Sequence, residues 1–247
     1  TVEKLLGIEV PKRAQYMRVI MMELARIADH IICNSVLAVD TGAMTGFLYV
    51  MQWREHIYEI YEELCGARLT TNMGRFGGME RDFSAEAIRK IKHFLSEFPK
   101  GLREFESLVK RNRIFMDRTT GVGAISSERA LNYGFTGPNL RATGVDYDVR
   151  VMNPYSSYED FEFTVPVGTT GDTYDRYAVR MAEMWESLSI IEQAYQKIQN
   201  IKGADAEVYH ANVPEYYLPA KKDVYTSMEA LIWHFKIIMG EVDMPKG

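Results

Sequence analysis

The chain has 247 residues, 47% hydrophobic and 26% charged, which is enough apolar material for one substantial core. A formal net charge of -5, with no basic run or aromatic-interleaved basic stripe, excludes an electrostatic case for nucleic acid. No uncharged stretch, Ile31 to Ala38 with its neighbours included, reaches the roughly 20 apolar residues of a membrane helix, so any membrane association has to come through partners.

In chain order, Val2 to Gly7 reads as the tail of a helix with Gly7 as its C-terminal cap. Residue 1 is Thr rather than Met, and the chain is expected to be a fragment, residues 1–247 forming a single helical domain of a longer subunit cut at both ends. Pro11 suits the first position of a long helix in which Ile20, Leu24, Ile27 and Ile31 form a core stripe. Glu23, Arg26 and His30 share another face of it, so this helix is expected to meet protein on several sides. The segment Val39 to Gly46 interrupts the pattern, and Phe47 to Cys65 resumes it up to Gly66, completing a helical hairpin. The polar, glycine-rich stretch Thr70 to Gly78 reads as irregular loop. Ser84 caps a third helix running toward Asn112, with a kink or break expected at Pro99 and Gly101.

Between Thr119 and Thr170 the chain is rich in Gly, Pro, Asn and Ser and reads as a connecting region. It holds a short helix, Glu128 to Tyr133, capped by Ser127 and closed by Gly134, and a strand in which Phe161, Phe163 and Val165 alternate with polar residues. Asp172 opens a fourth long helix to about Ile198, and the capping box Thr226-Ser227-Met228-Glu229 opens a last one that stops near Gly240. The fold class is mostly α, a bundle of long helices with a small irregular or β appendage.

Cys33 and Cys65 lie 32 positions apart with no Cys-x-x-Cys pair. They read as buried small hydrophobes in a reducing compartment. No nucleotide-binding, dinucleotide-binding or zinc signature occurs, and the glycines of Gly74 to Gly78 are a weak anion cradle. Asp40 interrupts an apolar stretch beside Gly42. It is either a functional carboxylate or the cap of the next helix. His30, near Glu23 and Arg26, is either a hydrogen-bonded structural residue or a proton carrier.

Several stretches resemble the 49-kDa subunit family of respiratory complex I, in that family's order. They include Val2-Glu3-Lys4-Leu5-Leu6-Gly7-Ile8, Asp40-x-Gly42-Ala43-Met44-Thr45, Gly66-Ala67-Arg68 and Asn112-Arg113-Ile114. Further along come Ala130-Leu131-Asn132-Tyr133-Gly134-Phe135-x-Gly137, Val165-Pro166-Val167-Gly168, Gly171-Asp172-x-Tyr174-Asp175-Arg176-Tyr177 and His234-Phe235-Lys236. Together they cover nearly the whole chain.

The resemblance implies a fold like that of the nickel-iron hydrogenase large subunit, and a role in NADH:quinone oxidoreductase at the quinone-reduction pocket, coupling electron transfer to proton translocation. It places Asp40 as the quinone-pocket carboxylate, with Ile32 and Val36 on the same face toward the quinone channel, an i, i+4, i+8 row if the helix continues. The loop bearing Arg68, Thr70 and Arg75 is implied to approach the terminal iron-sulfur cluster held by a partner, the iron-sulfur subunit called B in bacteria. Thr70 stands where the family usually has histidine, and Phe76 where it usually has proline. The family's histidine and tyrosine ligands of the quinone head are expected to lie upstream of Thr1. The chain itself is expected to bind no metal or other cofactor. Quinone (ubiquinone or menaquinone), the other peripheral-arm subunits and the membrane-arm subunits at the quinone entry are its expected partners, at the cytoplasmic face of the bacterial inner membrane. The alternatives are the large subunit of a membrane-bound hydrogenase or a related complex, and a non-catalytic helical scaffold.

Overall fold

In the computed structural model, which describes residues 1–202, 207–213 and 216–239, the apolar stripe of the first long helix becomes the centre of the core. A short helix α1, Val2–Leu6, precedes this spine, α2, Lys12–Asp40. Ile20, Leu24, Ile27 and Ile31 of α2 are fully buried, and at ~1.5–3 kcal/mol for each such side chain they anchor the helix. The opposite flank is buried as well: Glu23, His30, Asn34 and Ser35 have almost no exposure. The expectation of protein on several sides holds, because α2 packs along α9, Thr173–Asn200, on one flank and α3, Met44–Cys65, on another. Pro11 takes the N-cap position rather than the first helical one. The break between α2 and α3 shrinks to Thr41, Gly42 and Ala43.

Gly7 and Gly66 both close their helices in the left-handed conformation, at φ 66° and 75°, as their positions after apolar runs predict. Helix α4, Ala85–Val109, is capped by Ser84, whose hydroxyl accepts from the Ala87 N–H at 3.0 Å. The expected break does not occur. Pro99 and Gly101 lie within the continuous helix. Gly101 has a packing reason: a Cβ there would stand 2.0 Å from the Trp53 Nε1 of α3, so the missing side chain is what lets the indole lie against α4.

The glycine-rich segment is more regular than expected. Gly74–Arg75 (β1) and Gly78–Met79 (β2) pair as a small antiparallel hairpin. Segments from both ends of the chain hold it. Arg18 donates to Glu3 and to the carbonyls of Arg75 and Gly78, all at 2.7–2.8 Å. On the other side Met79 N–H donates to Tyr209 O, and Ala211 N–H to Gly77 O. The N–H of Gly77 is taken by the Glu3 carboxylate at 2.7 Å, so the anion this glycine loop holds is the chain's own.

The connecting region forms α5 (Arg113–Thr119), α6 (Ser127–Asn132), α7 (Gly137–Arg141), α8 (Val149–Met152) and a 3-10 turn, Tyr158–Asp160. The cap of α6 is Ser126, one residue before the expected Ser127. The predicted strand at Phe161 to Val165 is corrected: the segment is in no sheet. It runs along α9, whose side chains replace a partner strand: Gln193 accepts from Glu162 N–H and Glu186 from Thr164 N–H. The alternation that suggested a strand is real, since Phe161 is buried and Glu162 and Thr164 are exposed, but a helix supplies the facing surface.

Asp172 caps α9, accepting from Asp175 N–H at 2.8 Å. After α10, Lys221–Val224, comes α11, Met228–Met239. The Ser227 hydroxyl accepts from Ala230 N–H, so Ser227 replaces Thr226 as the capping residue. The expected stop near Gly240 lies outside the described residues. Both cysteines are free and only half-buried, not fully buried as expected.

Candidate functional site

Because α2 continues unbroken to Asp40, Ile32, Val36 and Asp40 stand on successive turns of one face. Ile32 is half-buried, while Val36 and Asp40 are exposed. Asp40 caps nothing: the N-cap of α3 is Ala43, with no side-chain hydrogen bond. The capping reading is therefore corrected, since the turn at Gly42 is closed by backbone bonds from Thr41, Gly42 and Ala43 N–H groups to Leu37, Val39 and Ala38, with Arg118 donating to Thr41 O at 2.9 Å. Among the described residues the Asp40 carboxylate has no ion-pair partner within ~4 Å. Near it in the chain, Val36, Met44, Leu48 and Tyr49 are exposed apolar side chains.

Ile32, Cys33, Val36 and Leu37 also form one wall of an open groove of about 450 Å³. The other wall is Asn139, Thr173, Arg176 and Arg180. Arg176 donates to the carbonyls of Gly171 and Gly123 and Arg180 to Asn139. Neither faces a carboxylate within ion-pair distance among the described residues. Burial and the neighbouring Arg180 charge lower the Arg176 guanidinium from its ordinary value. The groove is thus apolar on the α2 side and cationic on the α9 side.

The loop after α3 places Arg68, Thr70 and Arg75 apart from this groove's lining. Arg68 pairs with Glu55 and lies over the Tyr58 ring, 5.5 Å from its centroid. Arg75 donates to Asn72 and to Glu80, the latter at 2.8 Å. Thr70 is exposed.

His30 is buried and hydrogen-bonded, its Nε2 lying 2.6 Å from Glu183 Oε2. It belongs to a network that sequence reasoning missed apart from Glu23, Arg26 and His30. Glu23 and Glu183 face each other's helices with no exposure. Glu23 accepts from Arg26, Arg150, Tyr158 and Ser187 at 2.5–3.3 Å. Burial alone would raise its carboxyl, but Arg26 and Arg150 with the two hydroxyls hold it below the usual carboxylate range. Glu183 is likewise held low against burial, by His30 and Arg141, the Arg141 Nε donating at 2.8 Å. Arg150 is gripped in turn by Asp148 at 2.8 Å, which raises its pKa despite burial. The one signal for this network is the spacing of Glu23, Arg26 and His30 on an otherwise apolar helix. Arg141 and Arg150 come from a stretch without periodicity, so nothing marks them.

Known proteins with similar sequences identify the family. The family described as respiratory-chain NADH dehydrogenase, 49 Kd subunit, matches residues 40–247. The chain is 69% identical, over its whole length and 62% of the relative's, to a Cytophaga hutchinsonii protein, the D 2 subunit of NADH-quinone oxidoreductase. It is 71% identical over 99% of its length, and 58% of the relative's, to the NADH-quinone oxidoreductase D subunit of Flavobacterium johnsoniae. The corresponding D subunit of Leptospira biflexa is 51% identical over the whole chain and 59% of its own length. The chain therefore spans about three fifths of the length of these curated relatives.

Proposed function

As the chain belongs to the family of the 49 kDa subunit of respiratory-chain NADH dehydrogenase, we propose that it forms part of the quinone-reduction site of an NADH:quinone oxidoreductase. The observation that carries this reading is the row Ile32, Val36 and Asp40: two apolar side chains and a carboxylate on successive turns, the two apolar ones lining a groove. An apolar wall suits the rings and tail of a quinone, and a few polar groups orient it. Asp40 is free to accept or supply a proton at the quinone oxygens.

In this proposal electrons come from an iron-sulfur cluster held by a partner subunit, and the loop of Arg68, Thr70 and Arg75 faces that partner. Arg68 and Arg75 supply fixed positive charge there, although Glu55 and Glu80 already share it. The exposed side chains of Met44, Leu48 and Tyr49 are the surface for membrane-arm subunits at the quinone entry. Among the described residues no helix is long and apolar enough to cross a membrane, which supports a peripheral attachment; the cytoplasmic face and the coupling to ion translocation are part of the proposal.

The test is Asp40→Asn in the assembled complex. Quinone reductase activity should fall about 100-fold or more, the lower range for loss of a general acid or base, while NADH oxidation by an artificial acceptor stays at the parent rate. Unchanged quinone turnover in a normally assembled complex overturns the assignment.

A further inference from the structure

The buried network holds three carboxylates, Glu23, Glu183 and Asp148, and three guanidiniums, Arg26, Arg141 and Arg150. Their charges balance without His30. The imidazole therefore sits beside a neutralised cluster, with one further charged neighbour on its far side. That neighbour is Asp29, whose Oδ2 is 3.6 Å from His30 Nδ1 and whose side chain is 67% exposed.

The two ring nitrogens are unequal. With Glu183 ionised, the proton at Nε2 is fixed by the 2.6 Å bond. Nδ1 is buried and has no hydrogen-bond partner, an arrangement that is unfavourable for a neutral ring. Protonated, the same atom becomes a donor facing an anionic oxygen. A buried neighbour one turn along, Asn34, also has both amide atoms without partners, so this strip of α2 has unused hydrogen-bonding capacity. Other groups face the pair from each packed element. Arg26 on α2, Arg141 at the end of α7 and Arg180 on α9 bring positive charge, as does Arg54 on α3. The Cys33 thiol on α2 lies 3.9 Å from Asp29 Oδ2. Beside His30, and with Arg180 and Arg54 nearby, the Asp29 carboxyl is held below its usual range.

Asp29 is itself outside the groove's lining, but the Cys33 thiol beside it and Arg180 are both part of that lining. We propose that Asp29, His30 and Glu183 form a proton-exchange site that stores one proton on the imidazole and delivers it to the groove through Asp29. This deepens the quinone-site reading and rests on it. A quinone that takes up two electrons from the NADH-linked chain gains two protons on its oxygens. One of them leaves His30 Nδ1 for Asp29 Oδ2, and Asp29 releases it into the groove. His30 remains as a neutral ring whose Nε2–H is held by Glu183, and it is recharged from solvent by way of Asp29. Glu183 acts by positioning, because it fixes which nitrogen exchanges.

The experiment uses the assembled complex with Asp29→Asn and His30→Gln, each assayed for quinone turnover across pH, with NADH oxidation by an artificial acceptor as control. Reduced-minus-oxidised infrared difference spectra with 15N-labelled histidine read imidazole protonation directly. Asp29→Asn should lower quinone turnover roughly tenfold or more, change its pH profile, leave the control rate unchanged and weaken the labelled imidazole band. His30→Gln should abolish the band. If His30→Gln does not assemble, the surface variant Asp29→Asn decides alone. A parent pH profile together with an undiminished band in Asp29→Asn overturns the proposal. If Asp40→Asn leaves turnover unchanged, the groove assignment falls, while the labelled band still decides whether His30 exchanges a proton through Asp29.

Discussion

Glu23→Ala is expected to be among the most damaging single substitutions in the chain. Its carboxylate, with no exposure, accepts from Arg26, from Arg150, from Tyr158 at 2.5 Å and from Ser187 at 2.7 Å. Removing one partner of a buried ion pair costs about 3–5 kcal/mol, because the other charge remains buried. Arg150 keeps its bonds to Asp148, which holds the loss to that range; Tyr158 OH, fully buried, loses its carboxylate acceptor. Against a total stability of roughly 5–15 kcal/mol this is a large fraction, and at ~2–4 °C per kcal/mol for a chain of this size the melting temperature should fall by about 6–20 °C. The effect depends on pH. Since the folded-state carboxyl lies below its ordinary value of 4.5, its stabilisation is complete above the unfolded pKa and is lost as pH falls through the folded one. Thermal and urea unfolding of parent and variant, followed by circular dichroism, should thus diverge fully at neutral pH and converge in acid. The exposed Glu192→Ala serves as control, expected within ~0.5 kcal/mol of the parent. A loss well under about 3 kcal/mol for Glu23→Ala, the least the mechanism requires, or a gap that does not narrow on acidification, refutes this account.

Gly101→Ala adds a methyl where the Trp53 indole lies, 2.0 Å from the new atom, and should destabilise by about 1–3 kcal/mol as overpacking does; the same unfolding assay checks it, and Trp53 fluorescence should change with it. Thr70→His in the assembled complex tests the proposal that its loop faces a partner's cluster. Thr70 cannot exchange a proton near neutral pH, so the partner cluster's midpoint potential should vary little with pH in the parent and acquire a slope in the variant, and a parent slope near ~59 mV per pH unit, on the one-electron scale, contradicts the expectation.

Local chemistry was readable in the sequence where a single segment carries it. Gly66 and Ser84 terminate or open their helices as their residue types require, and the stripe of α2 lies in the core. The reading failed where the partner is distant or unusual. At Phe161 to Val165 the period-2 pattern was correct and the strand was not, since a helix flank can face alternating residues as well as a neighbouring strand does. Asp40 was a plausible cap by type, but the tight backbone turn at Gly42 left no role for its side chain. Of the buried network only the α2 face was legible: Arg150 lies 127 positions from Glu23, and no local pattern connects them.

The small hairpin has a consequence for the order in which the chain folds. Its strands come from the short reach Gly74 to Met79, yet its bonds run to Glu3 and Arg18 on one side and to Tyr209 and Ala211 on the other. Closing loops of that length is slow compared with forming the α2–α3 and α3–α4 contacts, which join sequence neighbours. The hairpin is therefore a late event, completed only after the distant segment near residue 210 has returned to the start of the chain. A nascent chain still emerging from the ribosome would carry its helical hairpins well before it carried this clasp, and the loop bearing Arg75 would take its final shape last.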